Sequence, residues 1–178
     1  MIIDFDAGVE MVHMSDAFYH KVVPGELKKV KVNDKLILKY GLKSTDVLLS
    51  RRSLTYEGAA QPCLIPEYDK PLIYESSLIR LRPKLNVINT LYLHYFLSNS
   101  RARQKYVFKH VTKSTISGIN NKGLNAIKII VPKINLQNQF AERVKAIEVQ
   151  KTQAEASLVQ ADNLFNSLLQ RAFKGELV

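Results

Sequence analysis

The sequence predicts an α+β fold: a domain with a mixed or antiparallel sheet, followed by a long C-terminal coiled-coil helix. Two observations support this prediction. In the first 134 residues, short β-branched or alternating runs are separated by Gly, Pro, Asn and Asp. In residues 135–178, apolar side chains recur at alternating spacings of four and three, which is typical of a coiled coil. We therefore predict two domains, 1–134 and 135–178.

Several runs in the first domain have the length and the alternation of strands, and each ends at turn residues. The predicted strands are Lys35–Lys39, Val47–Ser50, Leu72–Tyr74, Ser77–Leu81 and Ala126–Val131. Within the fourth strand, alternation places Arg80 and Arg82 on the face opposite Ile79 and Leu81. Like charges on one face need water or an anionic partner, and we expect this face to be solvated.

One segment of the first domain, Asn89–Phe108, is predicted to form helices. Its apolar residues include Leu91, Tyr95, Phe96, Tyr106 and Phe108, and Ser98–Ser100 marks a break between two helices. The order of elements is then strands, helices, a loop, a strand and the long helix.

The C-terminal helix is predicted from about Leu136 to Phe173, with Pro132 and Asn135 at its start and Gly175 at its end. It would be roughly 55 Å long at ~1.5 Å per residue, so we expect it to project and to need a partner. The residues that would face this partner are Phe140, Val144, Ile147, Leu158, Phe165 and Leu168. The alternative is a helix packed on its own domain.

The net charge of +10 is concentrated in one part of the chain. The C-terminal helix holds five acidic and five basic residues, and the first 20 residues hold four acidic and no basic ones. Residues 21–134 therefore hold 21 basic against seven acidic residues, a net charge of +14. Such an excess is typical of a surface that binds phosphates, although basic proteins without nucleic-acid partners are also common.

Other classes of protein are disfavoured. No apolar run reaches the ~18 residues of a membrane span, the N-terminus is acidic, and Cys63 is the single cysteine. We expect a soluble, cytoplasmic protein that does not contact membranes. The four histidines show no metal-ligand spacing, and no phosphate-binding glycine motif occurs. We therefore predict no metal, no cofactor and no catalytic residue.

A metal-dependent nuclease is the one enzyme class that the sequence suggests. Glu67, Asp69, Lys70 and Glu75 lie close together in PEYDKPLIYES. Such a site needs carboxylates that converge on one ion. Here the prolines of this segment indicate a turn instead, so we prefer the structural interpretation.

The first candidate DNA-binding segment is Leu42–Ala60, read as a turn, a strand and a polar loop. Adjacent arginines at a strand end can bind phosphates, or the O6 and N7 atoms of guanine. The candidate residues are Lys43, Arg51, Arg52, Ser53 and Tyr56. The alternative is a solvated charged loop.

The second candidate segment joins a basic helix to a polar loop. Arg101, Arg103, Lys105 and Lys109 lie on the second predicted helix. The loop Lys113–Lys122 offers donors and acceptors suited to phosphates and base edges, namely those of Lys113, Ser114, Thr115, Ser117, Asn120, Asn121 and Lys122. We expect this loop to be mobile until it binds, and the alternative is an ordinary surface loop.

The chain resembles one half of the specificity subunit of type I restriction-modification systems. The most specific segment, NLFNSLLQRAFKGEL at residues 163–177, is similar to the signature that closes the helix in such subunits. Three further segments support the resemblance: LKSTDVLLSRR, YESSLIRLRPK and SGINNKGLNAIKIIVPKINLQNQFAERV. Together they cover residues from Leu42 to Leu177.

This resemblance implies a target recognition domain followed by a spacer helix, without catalytic activity. The implied partners are double-stranded DNA, a methyltransferase subunit that uses S-adenosylmethionine to methylate adenine, and an ATP-dependent restriction subunit. Neither cofactor is expected to bind this chain. The helix is expected to pair antiparallel with a second copy, or with another specificity subunit. The alternative is a coiled-coil adaptor that binds nucleic acid without sequence preference.

The chain departs from the family pattern in two ways. Family members usually carry two recognition domains and two paired helices, whereas this sequence has one of each. Its start also lacks the aromatic and glycine-rich opening common in these domains, and we assign no role to the acidic residues 1–20. A natural half-subunit and a truncated remnant are both compatible with these departures.

Overall fold

The computed structural model describes residues 8–176. The chain forms two compact units, which divide between Gln137 and Asn138. The first unit contains short strands and helices, and the second is a single long helix.

Two three-stranded sheets form the body of the first unit. In one sheet, β1 (Val9–Val12) pairs antiparallel with β2 (Lys29–Val30) and parallel with β6 (Leu72–Tyr74). In the other, β3 (Val47–Ser50) lies between β5 (Pro62–Leu64) and β7 (Leu78–Leu81), antiparallel to both. The predicted mixed or antiparallel sheet structure is confirmed, as are the strands at Val47–Ser50, Leu72–Tyr74 and within Ser77–Leu81.

A third, two-stranded pairing joins distant parts of the sequence. It consists of β4 (Arg52–Ser53) and β8 (Ser117–Gly118), which run antiparallel, and we call it the ribbon. Since β8 lies inside the segment Lys113–Lys122, that segment is not the wholly irregular loop that we expected.

The strand predicted at Lys35–Lys39 is wrong, because this segment lies in helix α1 (Asp34–Tyr40). Asn33 caps the helix, since its side-chain oxygen accepts a hydrogen bond from the amide of Leu36 at 3.0 Å. The local cap outweighs the strand-like alternation of Lys and Leu.

The strand predicted at Ala126–Val131 is also wrong. Ala126 ends helix α4 (Asn121–Ala126), and among residues 8–176 no strand pairs with the segment that follows. Ile127 and Ile129 instead pack against the hydrophobic core. The hydroxyl of Tyr92 donates to the carbonyl of Ile130 at 2.7 Å. The alternating apolar residues of this segment therefore form one face that packs on the core, although no strand pairs with the segment.

The predicted pair of helices is confirmed. Helix α2 (Thr90–Ser98) is followed by α3 (Ser100–Ala102), which continues into a π-helix (Arg103–Val107) and a 3₁₀ turn (Phe108–His110). Asn99 separates α2 from α3 in extended conformation, and its side chain caps α3 through the amide of Ala102 at 3.0 Å.

Strand β3 separates two hydrophobic cores. Val47 and Leu49 pack in one core with residues of α2 and the π-helix, including Leu97 and Val107. Leu48 points to the opposite core. All four residues of β3 are buried, as expected for a central strand covered on both faces.

The face of Arg80 and Arg82 is partly solvated, as expected: Arg82 is exposed and Arg80 is half-buried, and both side chains also bond within the protein. Arg82 binds the buried carboxylate of Asp46 through both Nε and Nη2, each at 2.7 Å. Arg80 donates to the carbonyl of Gly41 at 2.7 Å. Hydrogen bonding to Asp46 raises the pKa of Arg82. Both arginines therefore hold the turn at 41–46 against β7.

Helix α5 (Ile134–Phe173) makes up most of the second unit, and the predicted long helix is confirmed. Every residue from Lys145 to Glu176 is exposed. Of the predicted contact positions, Val144 is half-buried and the others are exposed, namely Phe140, Ile147, Leu158, Phe165 and Leu168. The predicted features at residues 1–7 and at Leu177 lie outside the described residues. Among residues 8–176, no helix combines the length and apolar composition needed to cross a membrane.

Candidate nucleic-acid interface

The ribbon brings the two candidate DNA-binding segments together. Arg52 pairs with Gly118 and Ser53 with Ser117. The amide of Ile119 donates to the carbonyl of Arg51 at 3.0 Å, and Thr112 and Gly118 exchange hydrogen bonds at 2.8 and 3.2 Å. The adjacent arginines and the polar segment 113–122 therefore share one surface.

Gly118 permits this close approach. A Cβ atom at this position would lie 2.8 Å from the carbonyl oxygen of Arg51, which is closer than real Cβ contacts. A side chain would force the two strands apart. The close packing of the ribbon therefore requires glycine at position 118.

A cleft of about 330 Å³ opens beside the ribbon. It is lined by Arg51, Arg52, Thr112, Ser114, Ile116, Gly118, Ile119 and Asn120. The Nε atom of Arg51 is buried and has no hydrogen-bond partner among the described residues. Because an unsatisfied donor costs free energy, the Arg51 guanidinium can gain an acceptor from a ligand in this cleft.

A second cleft, of about 540 Å³, also borders the arginine pair. Arg51 and Arg52 line this cleft as well, together with Arg80 and Asn121. The two adjacent guanidinium groups thus border both concave surfaces, where an anionic ligand would meet them with part of their hydration removed.

Tyr56 has a supporting position. Its hydroxyl donates to the carbonyl of Phe108 at 2.7 Å, and its ring stacks on that of Phe108 with centroids 4.9 Å apart. The ammonium of Lys113 lies 5.6 Å from the Tyr56 ring. Tyr56 therefore positions Lys113, while its own polar group is already bonded within the protein.

Four predicted contact residues use their side chains inside the protein, and one of them, Ser114, donates its hydroxyl to the carbonyl of Ile116 at 2.7 Å. Ser53 and Ser117 are buried. The Ser53 hydroxyl accepts from the amide of Thr55 at 3.1 Å, and the Ser117 hydroxyl donates to the carbonyl of Ser114 at 3.4 Å. Asn120 caps α4 by accepting from the amide of Gly123 at 2.8 Å. These contacts shape the loops that carry the exposed residues.

The structure contradicts the DNA-binding role predicted for Arg103, which is buried in the protein interior. Its guanidinium donates to the carbonyls of Ala60 at 2.8 Å and Leu97 at 3.0 Å. It also donates to those of Glu57 and Ala59, each at 2.7 Å. Burial lowers the pKa of Arg103. Arg103 thus organises the loop at 57–60, whereas its basic neighbours Arg101 and Lys105 stay exposed.

The remaining predicted residues lie on the surface. Arg101, Lys105 and Lys109 are exposed along the basic helical segment. The exposed residues near the ribbon and on the turn at 41–46 are Lys43, Arg52, Lys113, Ser114, Thr115, Asn121 and Lys122. Thr112 also lines the cleft but was not predicted, because nothing in its local sequence indicates its pairing with Gly118.

No group of three or more His, Cys, Asp or Glu residues is arranged to hold a metal ion within residues 8–176. Two histidines, His20 and His94, instead bond to each other at 3.0 Å. Burial, and then the charge of His20, lower the pKa of His94 to about 4. Burial also raises the pKa of Cys63 to about 12, so its thiol stays protonated.

Comparison with known proteins gives a consistent result. The family model of the type I restriction modification DNA specificity domain matches residues 22–160. The EcoBI specificity subunit of Escherichia coli is 25% identical over 180 residues, which cover 98% of this chain and 36% of that protein. The StySPI specificity subunit of Salmonella potsdam is 23% identical over 176 residues, which cover 95% and 37%. The chain therefore spans little more than a third of the length of these relatives.

Solved structures share the fold. The HsdS subunit from Thermoanaerobacter tengcongensis superposes with a TM-score of 0.57 at 17% identity, over 98% of this chain and 40% of that one. A chain from a structure of a type I restriction-modification system gives a TM-score of 0.55 at 19% identity. The predicted family resemblance is confirmed. This chain belongs to the family of type I restriction modification DNA specificity domains.

Proposed function

We propose that this chain is a non-catalytic protein that reads one short half-site in duplex DNA with the domain formed by residues 1–134. The observation that supports this function best is the ribbon, which places Arg51 and Arg52 beside the polar segment 113–122. A two-stranded ribbon fits the major groove of B-DNA, where every base pair shows a distinct pattern of donors and acceptors.

In this proposal the basic residues fall into two groups, one that contacts bases and one that contacts phosphates. Arg51 and Arg52 contact base edges, because they border the clefts and adjoin the polar loop. Lys43, Arg101, Lys105 and Lys109 are exposed cations that contact phosphates and position the domain. Lys113, Ser114, Thr115, Asn121 and Lys122 provide further polar contacts from the surface loop. The net charge of +14 in residues 21–134 favours binding to any duplex, and the ribbon adds the preference for sequence.

Residues 135–178 act as a spacer and dimerisation helix. Ile147, Leu158 and Phe165 each have about 60% of their surface exposed, at positions of a coiled-coil repeat. An antiparallel pairing with a second copy would bury this stripe and hold two recognition domains at a fixed separation. Pairing with another specificity subunit would do the same in a mixed dimer.

Membership of the family supports the partners that we propose. We propose that the dimer docks to a methyltransferase subunit, which methylates adenine with S-adenosylmethionine, and to an ATP-dependent restriction subunit. Both cofactors belong to those subunits. This chain would act in the cytoplasm and direct the chemistry of its partners to a target sequence. Co-purification of the methyltransferase subunit with the full chain would test the assembly.

Selection of bound sequences tests the proposed function. The full chain, with the methyltransferase subunit if binding requires it, is mixed with a random duplex library. Competition binding then compares its affinity for the enriched sequence with its affinity for random duplex. Base readout predicts a preference of about 10³ or more for the enriched sequence. Equal binding to both duplexes would instead identify a non-specific adaptor.

A further inference from the structure

The open end of the ribbon carries two large apolar side chains, Leu54 and Ile116. Leu54 is 83% exposed and Ile116 is 53% exposed. Ser53 and Ser117 form the last pair of the ribbon, so Leu54 and Ile116 are the next residue on each strand. Their exposure is therefore concentrated at one place, which we call the ribbon tip.

The tip residues lie next to the arginine pair. Ser53 and Ser117 are buried, whereas Arg52, Leu54 and Ile116 are exposed. Ile116 lines the same cleft as Arg51 and Arg52. Leu54 follows Arg52 by two residues, so their Cα atoms are at most about 7 Å apart.

The surroundings of the tip define the chemistry of its partner. Arg52 and Lys113 are exposed beside it, and Ser114 and Thr115 precede Ile116 on the second strand. A partner here must be anionic and yet offer an apolar group between polar ones. The major groove of DNA has this combination, because thymine presents its C5-methyl group beside acceptor atoms.

We propose that Leu54 and Ile116 contact thymine C5-methyl groups in the half-site and so determine part of its sequence. This inference rests on the proposed function and adds apolar readout to the hydrogen bonds of Arg51 and Arg52. Base pairs are spaced ~3.4 Å apart along each strand. The thymine therefore lies within about two base pairs of the position that Arg52 contacts.

Uracil substitution tests this proposal, since it removes the C5-methyl group and leaves the hydrogen-bonding atoms of the base unchanged. Each thymine of the selected site is replaced in turn, and the affinity of the full chain is measured. Burial of one methyl group predicts a loss of about fourfold at one or two positions. In Leu54→Ala or Ile116→Ala, the corresponding uracil duplex should bind as well as the thymine duplex.

Leu38→Ala is the matched control, because Leu38 is 87% exposed and lies on α1, away from the ribbon in sequence. It should keep the preference for thymine. If no thymine position is sensitive to uracil, or if Leu54→Ala and Ile116→Ala weaken thymine and uracil duplexes alike, the proposal is overturned while the recognition function stands. A chain that enriches no sequence would overturn both.

Discussion

The carbonyl of Arg51 accepts a hydrogen bond from the amide of Ile119 at 3.0 Å, and this contact fixes one end of the ribbon. It places the arginine pair against a loop from the far end of the domain. Since Gly118 lies next to Ile119 and directly against the Arg51 carbonyl, the geometry of the cleft depends on the lack of a side chain at this position.

Gly118→Val should therefore impair recognition more than folding. The added Cβ atom would lie 2.8 Å from the Arg51 carbonyl, so the strands must separate and the clefts change shape. We expect a loss of about 1–3 kcal/mol in discrimination between the selected and random duplexes, equivalent to one good base contact. Circular dichroism should show an unchanged fold. Full discrimination in this variant would mean that the ribbon does not shape the reading surface.

Arg103 and Arg101 provide a matched pair of neighbouring arginines. Arg103→Ala removes a buried guanidinium and leaves four carbonyls without their donor. We expect the free energy of unfolding to fall by about 3 kcal/mol or more. Arg101→Ala changes an exposed residue and should alter stability by less than about 0.5 kcal/mol. Urea titration measures both, and a stable Arg103→Ala protein that binds DNA poorly would restore its predicted contact role.

The buried His94 predicts a loss of stability in mild acid. Its folded pKa of about 4 lies below its ordinary value of 6.5, so between these values the unfolded chain binds the proton and the folded chain does not. Stability is therefore unaffected above pH 6.5 and falls as the pH drops toward 4, by about 2 kcal/mol at pH 4.5 after allowance for partial solvation. Urea titrations at several pH values measure this slope. His94→Asn should flatten it, and an equal slope in that variant would exclude His94 as its cause.

The sequence predicts those features that depend on local pattern. The heptad spacing of Ile147, Leu158 and Phe165 predicts α5, and the buried run Val47–Ser50 predicts β3. Local pattern is insufficient where a cap competes with alternation, as at Asn33 before α1. Local pattern is also insufficient to predict the structure of residues 126–131. Their alternating apolar residues indicate a face that packs on the core, but they do not indicate whether a neighbouring strand is present.

Much of the candidate site depends on contacts between distant segments. Both segments could be predicted from their arginines and polar residues, but their pairing through Ser53 and Ser117 could not, because strand register is set by tertiary packing. The four basic residues of this segment share one predicted helix, and their common charge alone suggests one exposed face. At ~100° per residue, however, a helix directs Arg103 away from Lys105 and Lys109, and Arg103 is the buried one. The four-residue spacing of the exposed cations is a local signal for this difference.

If the spacer helix forms the dimer, single substitutions on its apolar stripe should disrupt that dimer. Leu158→Glu and Phe165→Glu place charges on the exposed apolar stripe and should convert a dimer into a monomer, while Gln160→Glu should leave the dimer intact. A truncation that removes the spacer helix should follow Asn138, so that Gln137 is kept. Gln137 is buried, accepts from the amide of Asn89 and donates to two carbonyls of the first unit. Light scattering at micromolar concentration measures the state, and a monomeric full-length chain would contradict homodimer formation.

A homodimer also predicts the form of the target. Two identical domains related by a two-fold axis read the same half-site in inverted orientation, so the target is an interrupted palindrome. Insertion of seven residues after Ala154 keeps the heptad repeat and should lengthen the preferred gap. Insertion of four residues breaks the repeat and should weaken the dimer. Selection from a random library with each variant measures the gap. A single asymmetric site, or an unchanged gap, would mean that the helix does not set the spacing.

The central claim is base readout by the arginine pair at the ribbon. The most direct measurement compares the affinities of four variants for selected and random duplexes, namely Arg51→Ala, Arg52→Ala, Lys105→Ala and Lys109→Ala. Loss of a base contact predicts that Arg51→Ala or Arg52→Ala weakens selected duplex by about 1–3 kcal/mol and relaxes the preference at one position. Loss of a phosphate contact predicts that Lys105→Ala and Lys109→Ala weaken both duplexes alike and reduce the salt slope by about one. An equal loss on both duplexes for all four variants would contradict sequence recognition by this surface.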